Sequence, residues 1–253
     1  MMEFFSSPYF IAAAFFLIAF IYSSVGLGGG SSYTAMMAIL GFNALSIPIV
    51  TLTLNLVVTT VGSFNFIRNK HARLKLIAPF LVASIPMAYL GGALQIQKEI
   101  FYWVLLVSLV FVVARIYLWN SVSLQLQLSG RQKLMVSLLA GSLLGLVAGI
   151  AGIGGGIYLV PLILVLGLGT EKEAAACGAI FIWLNSASGL VSRMQFNPVD
   201  LSEYVPLILA VFLGGALGSF LGSSRFSPIT MERILGLIIL VAIGFLIRKL
   251  IFP

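Results

Sequence analysis

Apolar positions along the chain come in solid blocks. Five fill the first half, at roughly 9–25, 31–42, 46–67, 76–94 and 100–119. Five more fill the second, at roughly 134–150, 156–168, 174–192, 204–222 and 231–250. No Lys, Arg, Asp or Glu lies between Glu3 and Arg68, and further charge-free runs cover 76–97, 134–170, 174–192 and 204–224. A membrane-spanning helix needs about 20 largely apolar residues to cross a hydrocarbon core about 30 Å thick, and these runs reach or exceed that length. Segments such as Ile11–Ile21 and Ile234–Leu246 are apolar on all sides, unlike the alternating strands of a membrane β-barrel. The pattern predicts an all-α polytopic membrane protein. The first block lacks the basic flank and small-residue cleavage site of a removable signal peptide, so it reads as part of the fold.

Composition agrees. Of 253 residues, 60% are hydrophobic and 8% charged, where a soluble domain carries about 25% charged residues. The net charge of +7 sits in short loops, where Lys and Arg mark the cytoplasmic side; it does not imply nucleic acid. Trp103, Trp119, Tyr102, Tyr117 and Tyr204 lie near block ends and read as interface anchors. Arg115, inside a block, reads as a side chain reaching for the interface. One Cys, Cys177, excludes an internal disulfide. With His71 as the single His, no four-ligand Cys/His metal site fits in one chain. The sequence offers no catalytic set, no metal site and no cofactor motif.

The two halves repeat. Gly26-Leu27-Gly28-Gly29-Gly30 matches Gly152-Ile153-Gly154-Gly155-Gly156 at an offset of 126, and Gly41 matches Gly167. At an offset of 127, Gly62 matches Gly189, Pro79 matches Pro206 and Gly91 matches Gly218. The reading is therefore a first transmembrane half over 1–119, a polar linker over 120–133 and a second half over 134–253. Two topologies are open. The first two blocks of each half form either one broken span or a hairpin meeting at the glycines. With Arg115 set aside as lying within a block, placing the Arg68–Lys75 loop in the cytoplasm leaves nine of the 14 basic residues inside and four outside under either choice. The acids Asp200 and Glu203 beside Arg193 favour the hairpin and an inverted repeat, with the C-terminus outside.

The G-x-G-G-G strings lack the strand–helix setting or the Lys-Ser/Thr of a nucleotide loop. Glycines such as Gly145, Gly149, Gly214, Gly215 and Gly218 read as close helix packing. Three consecutive glycines favour a helix break, and broken backbone inside a membrane must be satisfied by protein, cavity water or ligand. Free N–H groups at the following helix start suit an anion. Paired breaks in matching places are the sequence pointer to a transporter site. The candidate binding residues are Gly28, Gly29, Gly30, Ser31, Ser32 and Asn55 in the first half, and Gly154, Gly155, Gly156 and Asn185 in the second. Asn55 and Asn185 are costly to bury unpaired, so each either holds a solute or braces the opposite hairpin. No acid lies at the centre of a long block; Glu99, Glu171, Glu173, Glu203 and Glu232 fall near predicted ends, which argues against a cation substrate.

With these strings in place, the chain resembles the sulfite exporter TauE/SafE family of membrane permeases. The resemblance rests on Gly26–Gly30, on Ala151–Gly156 followed by Pro161, and on the segment Ala176 to Gly189 with Asn185-Ser186. It implies a multi-pass permease of a bacterial or archaeal inner membrane, working on small sulfur-containing or organic anions such as sulfite, sulfonates or sulfoacetate. The halves are not chemically equivalent. Asn55 stands where the repeat register puts Ile182, and Asn185 where it puts Val58, which fits one site built unequally from both halves. The expected function is secondary transport by alternating access; the alternatives are a passive anion channel and a transporter of an unrelated small metabolite. Expected partners are a small anionic solute and the lipid bilayer, with no nucleic acid. A coupling proton or sodium ion and self-association into a homo-oligomer are left open.

Overall fold

The structure is a computed structural model that describes residues 8–24, 26–94, 96–118, 129–225 and 228–251. Among these the blocks form ten α-helices and one 3-10 turn, with no strand. They are α1 (Pro8–Ser24), α2 (Gly30–Ile39), α3 (Ser46–Arg68), α4 (Leu74–Ala93), α5 (Lys98–Leu118), α6 (Gly130–Ala151), α7 (Gly156–Val165), α8 (Glu171–Phe196), α9 (Val205–Arg225) and α10 (Pro228–Ile251), with the 3-10 turn at Ser202–Tyr204. Among the described residues, six segments are long and apolar enough to cross a membrane: α3, α4, α5, α6, α8 and Ser202–Phe220. Val82, Val107, Leu139, Leu143 and Leu209 are exposed on these helices, as side chains facing lipid would be.

Helices α3 and α8 cross antiparallel at the centre. Trp183 Nε1 donates to Thr60 Oγ1 at 2.9 Å, and the position of Gly189, further along α8, lies against Leu52, earlier on α3. Arg68 at the end of α3, Lys70 and Arg73 in the turn after it and Lys75 at the start of α4 lie together; this is the basic end of the molecule. The start of α8 lies there too, since Arg73 Nη1 and Glu173 Oε2 are 3.3 Å apart. The opposite end is the far end.

Helix direction follows from glycine contacts. A Cβ on Gly141, Gly145 or Gly149 of α6 would collide with the Phe80, Ser84 or Ala88 carbonyl of α4. Both numbers rise together, so α6 runs parallel to α4, from the basic end toward the far end. Its tip at Gly152 lies against Pro48 and Thr51 at the far-end start of α3. The chain then reverses, and after α7 the position of Gly169 meets Leu76 back at the basic end. Thus α6 and α7 are a hairpin that enters from the basic end.

The first hairpin enters from the opposite side. Gly214 and Gly218 of α9 pack on the carbonyls of Phe16 and Phe20 of α1, and Ser23 Oγ donates to the Gly215 carbonyl at 2.6 Å. Helix α9 leaves the far end, so its parallel partner α1 does as well. The tip at Gly26 meets Phe66 and Ala175 near the basic end. Helix α2 then returns to the far end, where Lys249 Nζ donates to the Ala38 carbonyl at 2.7 Å. Of the two topologies open to the sequence, the structure has the hairpins.

Boundaries moved where apolar character and backbone order part company. Trp119 and residues 120–128 of the expected linker lie outside the described residues, while 130–133 already form the first turn of α6, started by a capping box between Ser129 and Gln132. A second box, Thr170 with Glu173, starts α8; such reciprocal bonds satisfy two orphan donors of a helix start. Helix α8 runs on through Phe196, so Arg193, expected in a loop, is a buried residue of its last turn. Arg115 lies in the last turn of α5, at the basic end, where a helix C-terminus favours a cation.

Candidate functional site

The two glycine strings meet between α3 and α8. Gly29 and Gly155 are the N-caps of α2 and α7, at φ +91° and +77°. This left-handed conformation costs little only for glycine. Neither helix start has a side-chain cap; Tyr158 N donates to the Gly155 carbonyl at 3.1 Å, and the N–H groups of Gly30, Ser31, Ser32, Gly156 and Ile157 stand too early in their helices for an intrahelical partner. A Cβ on Gly30 of the first string would stand 2.6 Å from the Ile153 carbonyl of the second. The strings are in contact because glycine leaves no side chain between them.

Asn55 of α3 fills the space those glycines leave. It is fully buried. A Cβ on Gly28 would stand 2.7 Å from its Oδ1, one on Gly154 would stand 3.0 Å from its Nδ2, and one on Gly30 would overlap Nδ2. Nδ2 donates to the Gly152 carbonyl over a long 3.4 Å, so one carboxamide touches both strings. Oδ1 has no hydrogen-bond partner. A buried polar atom left unpaired costs about 1–3 kcal/mol, so such atoms mark places where something else binds or bridges. Two more stand beside the strings: Ser186 Oγ, close to Gly154, and Tyr33 Oη, close to Gly29. From α8, Ile182 packs its Cγ2 against the positions of both Gly28 and Gly154.

Ser31 and Ser32 are at the site, though their hydroxyls are engaged. Tyr22 Oη lies 2.6 Å from Ser31 Oγ and 2.8 Å from Ser32 Oγ. Each hydroxyl carries one proton, so two contacts among three hydroxyls leave one proton to direct elsewhere. Tyr22 and Ser31 line a cavity of about 10 Å³ with Gly28, Gly29, Gly30 and Ile157, room for about one water. Tyr22 is absent from the candidates read from the sequence. The available signal was a tyrosine inside an apolar run, which needs a hydroxyl partner when buried, shortly before two consecutive serines.

Asn185 is buried on α8 one residue before Ser186, with its Nδ2 bonded back to the Phe181 carbonyl at 2.8 Å and its Oδ1 unpartnered. It joins neither string by any contact described here, in contrast to Asn55. Gly156 packs against Ile182 and the Gly178 carbonyl, which holds α7 on α8. Strings, Asn55, Ser186, Ser31 and Ser32 thus form one cluster, with Asn185 at its edge. The arrangement has buried hydrogen-bonding groups and no acid or base among the described residues that touch it.

Above this cluster, at the far end, opens a cavity of about 470 Å³ lined by Pro48, Lys98, Arg193 and Asn197 among others. Pro48 also packs on Gly152 at the tip of the second hairpin, so the floor of this vestibule adjoins the second string.

Comparison with known proteins agrees with this architecture. The family model described as Sulfite exporter TauE/SafE matches residues 11–246. The chain is 32% identical over 238 residues to "Probable membrane transporter protein y4hK" of Sinorhizobium fredii (strain NBRC 101917 / NGR234), covering 92% of this chain and 95% of that one. It is 27% identical over 239 residues to "Probable membrane transporter protein YjnA" of Bacillus subtilis (strain 168), covering 86% and 91%. No solved structure matches. Gly-broken hairpins meeting in an apolar helical body, and a family match over nearly its whole length, make this chain a membrane transporter of the sulfite exporter TauE/SafE family.

Proposed function

We propose that the chain is a secondary transporter of small sulfur-containing or organic anions such as sulfite, sulfonates or sulfoacetate, working by alternating access around a site between the two glycine strings. The observation that carries this reading is Asn55, a buried carboxamide wedged between strings that arrive from opposite ends, whose Nδ2 carries two protons and donates to the Gly152 carbonyl over a long 3.4 Å. Uncapped starts of α2 and α7 supply N–H groups and partial positive charge. The Tyr22–Ser31–Ser32 cluster adds hydroxyl donors. Neutral donors of this kind hold an anion without the tight grip of a central Lys or Arg. At about 10 Å³ the space between the strings is too small for such a solute, so the transport cycle has to part them.

We read the two halves as an inverted internal repeat, each contributing one hairpin, one central helix and one string. Support comes from the matching glycines at an offset of 126 and from the opposed entry of the hairpins. The excess of Lys and Arg at the basic end then puts that end in the cytoplasm of a cell with the protein in its inner membrane. Helix α10 ends near the far end, so a reporter fused after Pro253 should be active only when it works outside. Activity of a strictly cytoplasmic reporter there would reverse the orientation.

Purified protein in liposomes tests the function. Sulfite, a sulfonate panel and carboxylates are offered under imposed proton and sodium gradients. Saturable flux of a sulfur oxyanion, driven by one of the gradients, is expected. Flux that grows linearly with concentration and ignores both gradients would favour a passive pore. Preferential uptake of a cation would sink the anion reading.

A further inference from the structure

We propose that the far-end vestibule holds a loading subsite for a small oxyanion, with Arg193 as its fixed charge; this deepens the anion reading above and rests on it. Arg193 is only 5% exposed yet lines the 470 Å³ cavity. Its Nε and Nη2 donate to the Gly149 carbonyl at 3.1 and 2.9 Å, and Nη2 donates to the Ile150 carbonyl at 2.7 Å. These are among the last carbonyls of α6, which have no partner within the helix. Nη1 makes no hydrogen bond to any described residue. No carboxylate among the described residues lies within ion-pair distance of the guanidinium. A buried guanidinium neutralised only by carbonyl dipoles is expensive. A planar fork with free protons facing a cavity is the arrangement that receives an oxyanion.

The surroundings keep one sign of charge. Lys98 lines the same cavity. Its Nζ stands 5.9 Å from the Tyr102 ring centre, with Lys249 Nζ at 4.9 Å from the same ring. The acids of this end, Glu99, Asp200 and Glu203, do not line the cavity. Walls of one sign around a low-dielectric cleft concentrate counter-ions there. Pro48 on the floor touches Gly152, so an anion at Arg193 would wait beside the second string. The subsite would serve solute arriving at the far end and do nothing for solute arriving at the basic end.

Membrane vesicles of both orientations, with radiolabelled sulfite as the probe, give a KM from each face. The ratio of far-end KM to basic-end KM is the readout, because a general loss of folded protein lowers rates without moving it. Arg193→Gln should raise the ratio about 10-fold, as loss of a charge-assisted pair does. Arg193 also holds the end of α6, so Lys98→Gln, at an exposed position, is the second variant. It should raise the ratio about 3-fold at low salt and lose that effect near 0.5 M salt, where screening is short-ranged. A ratio within a factor of two of the wild type in Lys98→Gln and in every Arg193 variant that folds would overturn the subsite while leaving the transporter reading intact. Wild-type vesicles that carry neither sulfite nor any member of the sulfonate and carboxylate panel from either face would overturn both.

Discussion

The two glycine strings both carry left-handed glycines at their first and fourth positions, Gly26 and Gly29 against Gly152 and Gly155, and have different chemistry around them. In the first, Tyr22, Ser31 and Ser32 gather three hydroxyls. At the same places in the second stand Ala148, Ile157 and Tyr158, and Tyr158 Oη reaches away to the Ser108 carbonyl. From α3 the strings meet Asn55; from α8, at the matching position, they meet Ile182. Thr59 turns its methyl to Gly28, whereas Ser186 turns a hydroxyl to Gly154. The surroundings of the strings thus have a polar wall mostly from the first half and an apolar wall mostly from the second. If the proposed site lies there, the difference would suit one asymmetric solute better than two equivalent ions.

The comparison breaks most completely at the backbone. Gly29→Val and Gly155→Val each put a branched side chain at a left-handed residue, at a strain of about 1–2 kcal/mol. The new Cβ would also meet Tyr33 in the first case and Phe181 in the second. Sulfite flux in liposomes should fall to the protein-free level for both, with a smaller loss of folded yield. Equal loss of yield and flux would reduce the strings to a packing role.

Charge separates the two asparagines next. Asn55→Asp would set a carboxylate between the strings, where a like charge repels an anion with little solvent to screen it. Sulfite binding in detergent should weaken about 100-fold. Asn185→Asp, at the edge of the cluster, should weaken it about 10-fold. Equal losses would erase the distinction drawn here between the central and the peripheral carboxamide.

The smallest effects sharpen the polar and apolar walls. Tyr22→Phe and Ser31→Ala should each raise the sulfite KM about 3- to 10-fold, the range for one neutral hydrogen bond. Ile157→Ala, on the apolar side, should change it less. A larger effect at Ile157 than at Tyr22 would exchange the roles of the walls.

Much of this was legible in the sequence. Uninterrupted apolar blocks announce helices in lipid, and two G-x-G-G-G strings announce breaks that a helix would not otherwise tolerate. The chemical mismatch of Asn55 and Ile182 was readable once the repeat register was set. Direction was not. The loop charges balance identically under both topologies, and what decides is which carbonyl Gly141, Gly145 and Gly149 lie against, a long-range fact. Arg193 was hidden for a related reason. Near Asp200 and Glu203 it looks like a loop cation, and only the carbonyls of α6 explain how it can be buried. Leu40, Gly41 and Phe42 extend an apolar block past the end of α2, because apolarity does not record where helical bonding stops.

The pairing of α1 with α9 has a consequence for biogenesis. The groove of α1 that receives Gly214 and Gly218 meets its partner only after nearly all the rest of the chain has been made. At about 5–20 residues per second this is a wait of roughly 10–40 s. During that time the first hairpin resides in the bilayer with its closest neighbour not yet synthesised. The amino-terminal half therefore cannot reach its final packing before α9 has been made, and a ribosome stalled before α9 would leave a hairpin exposed to membrane quality control.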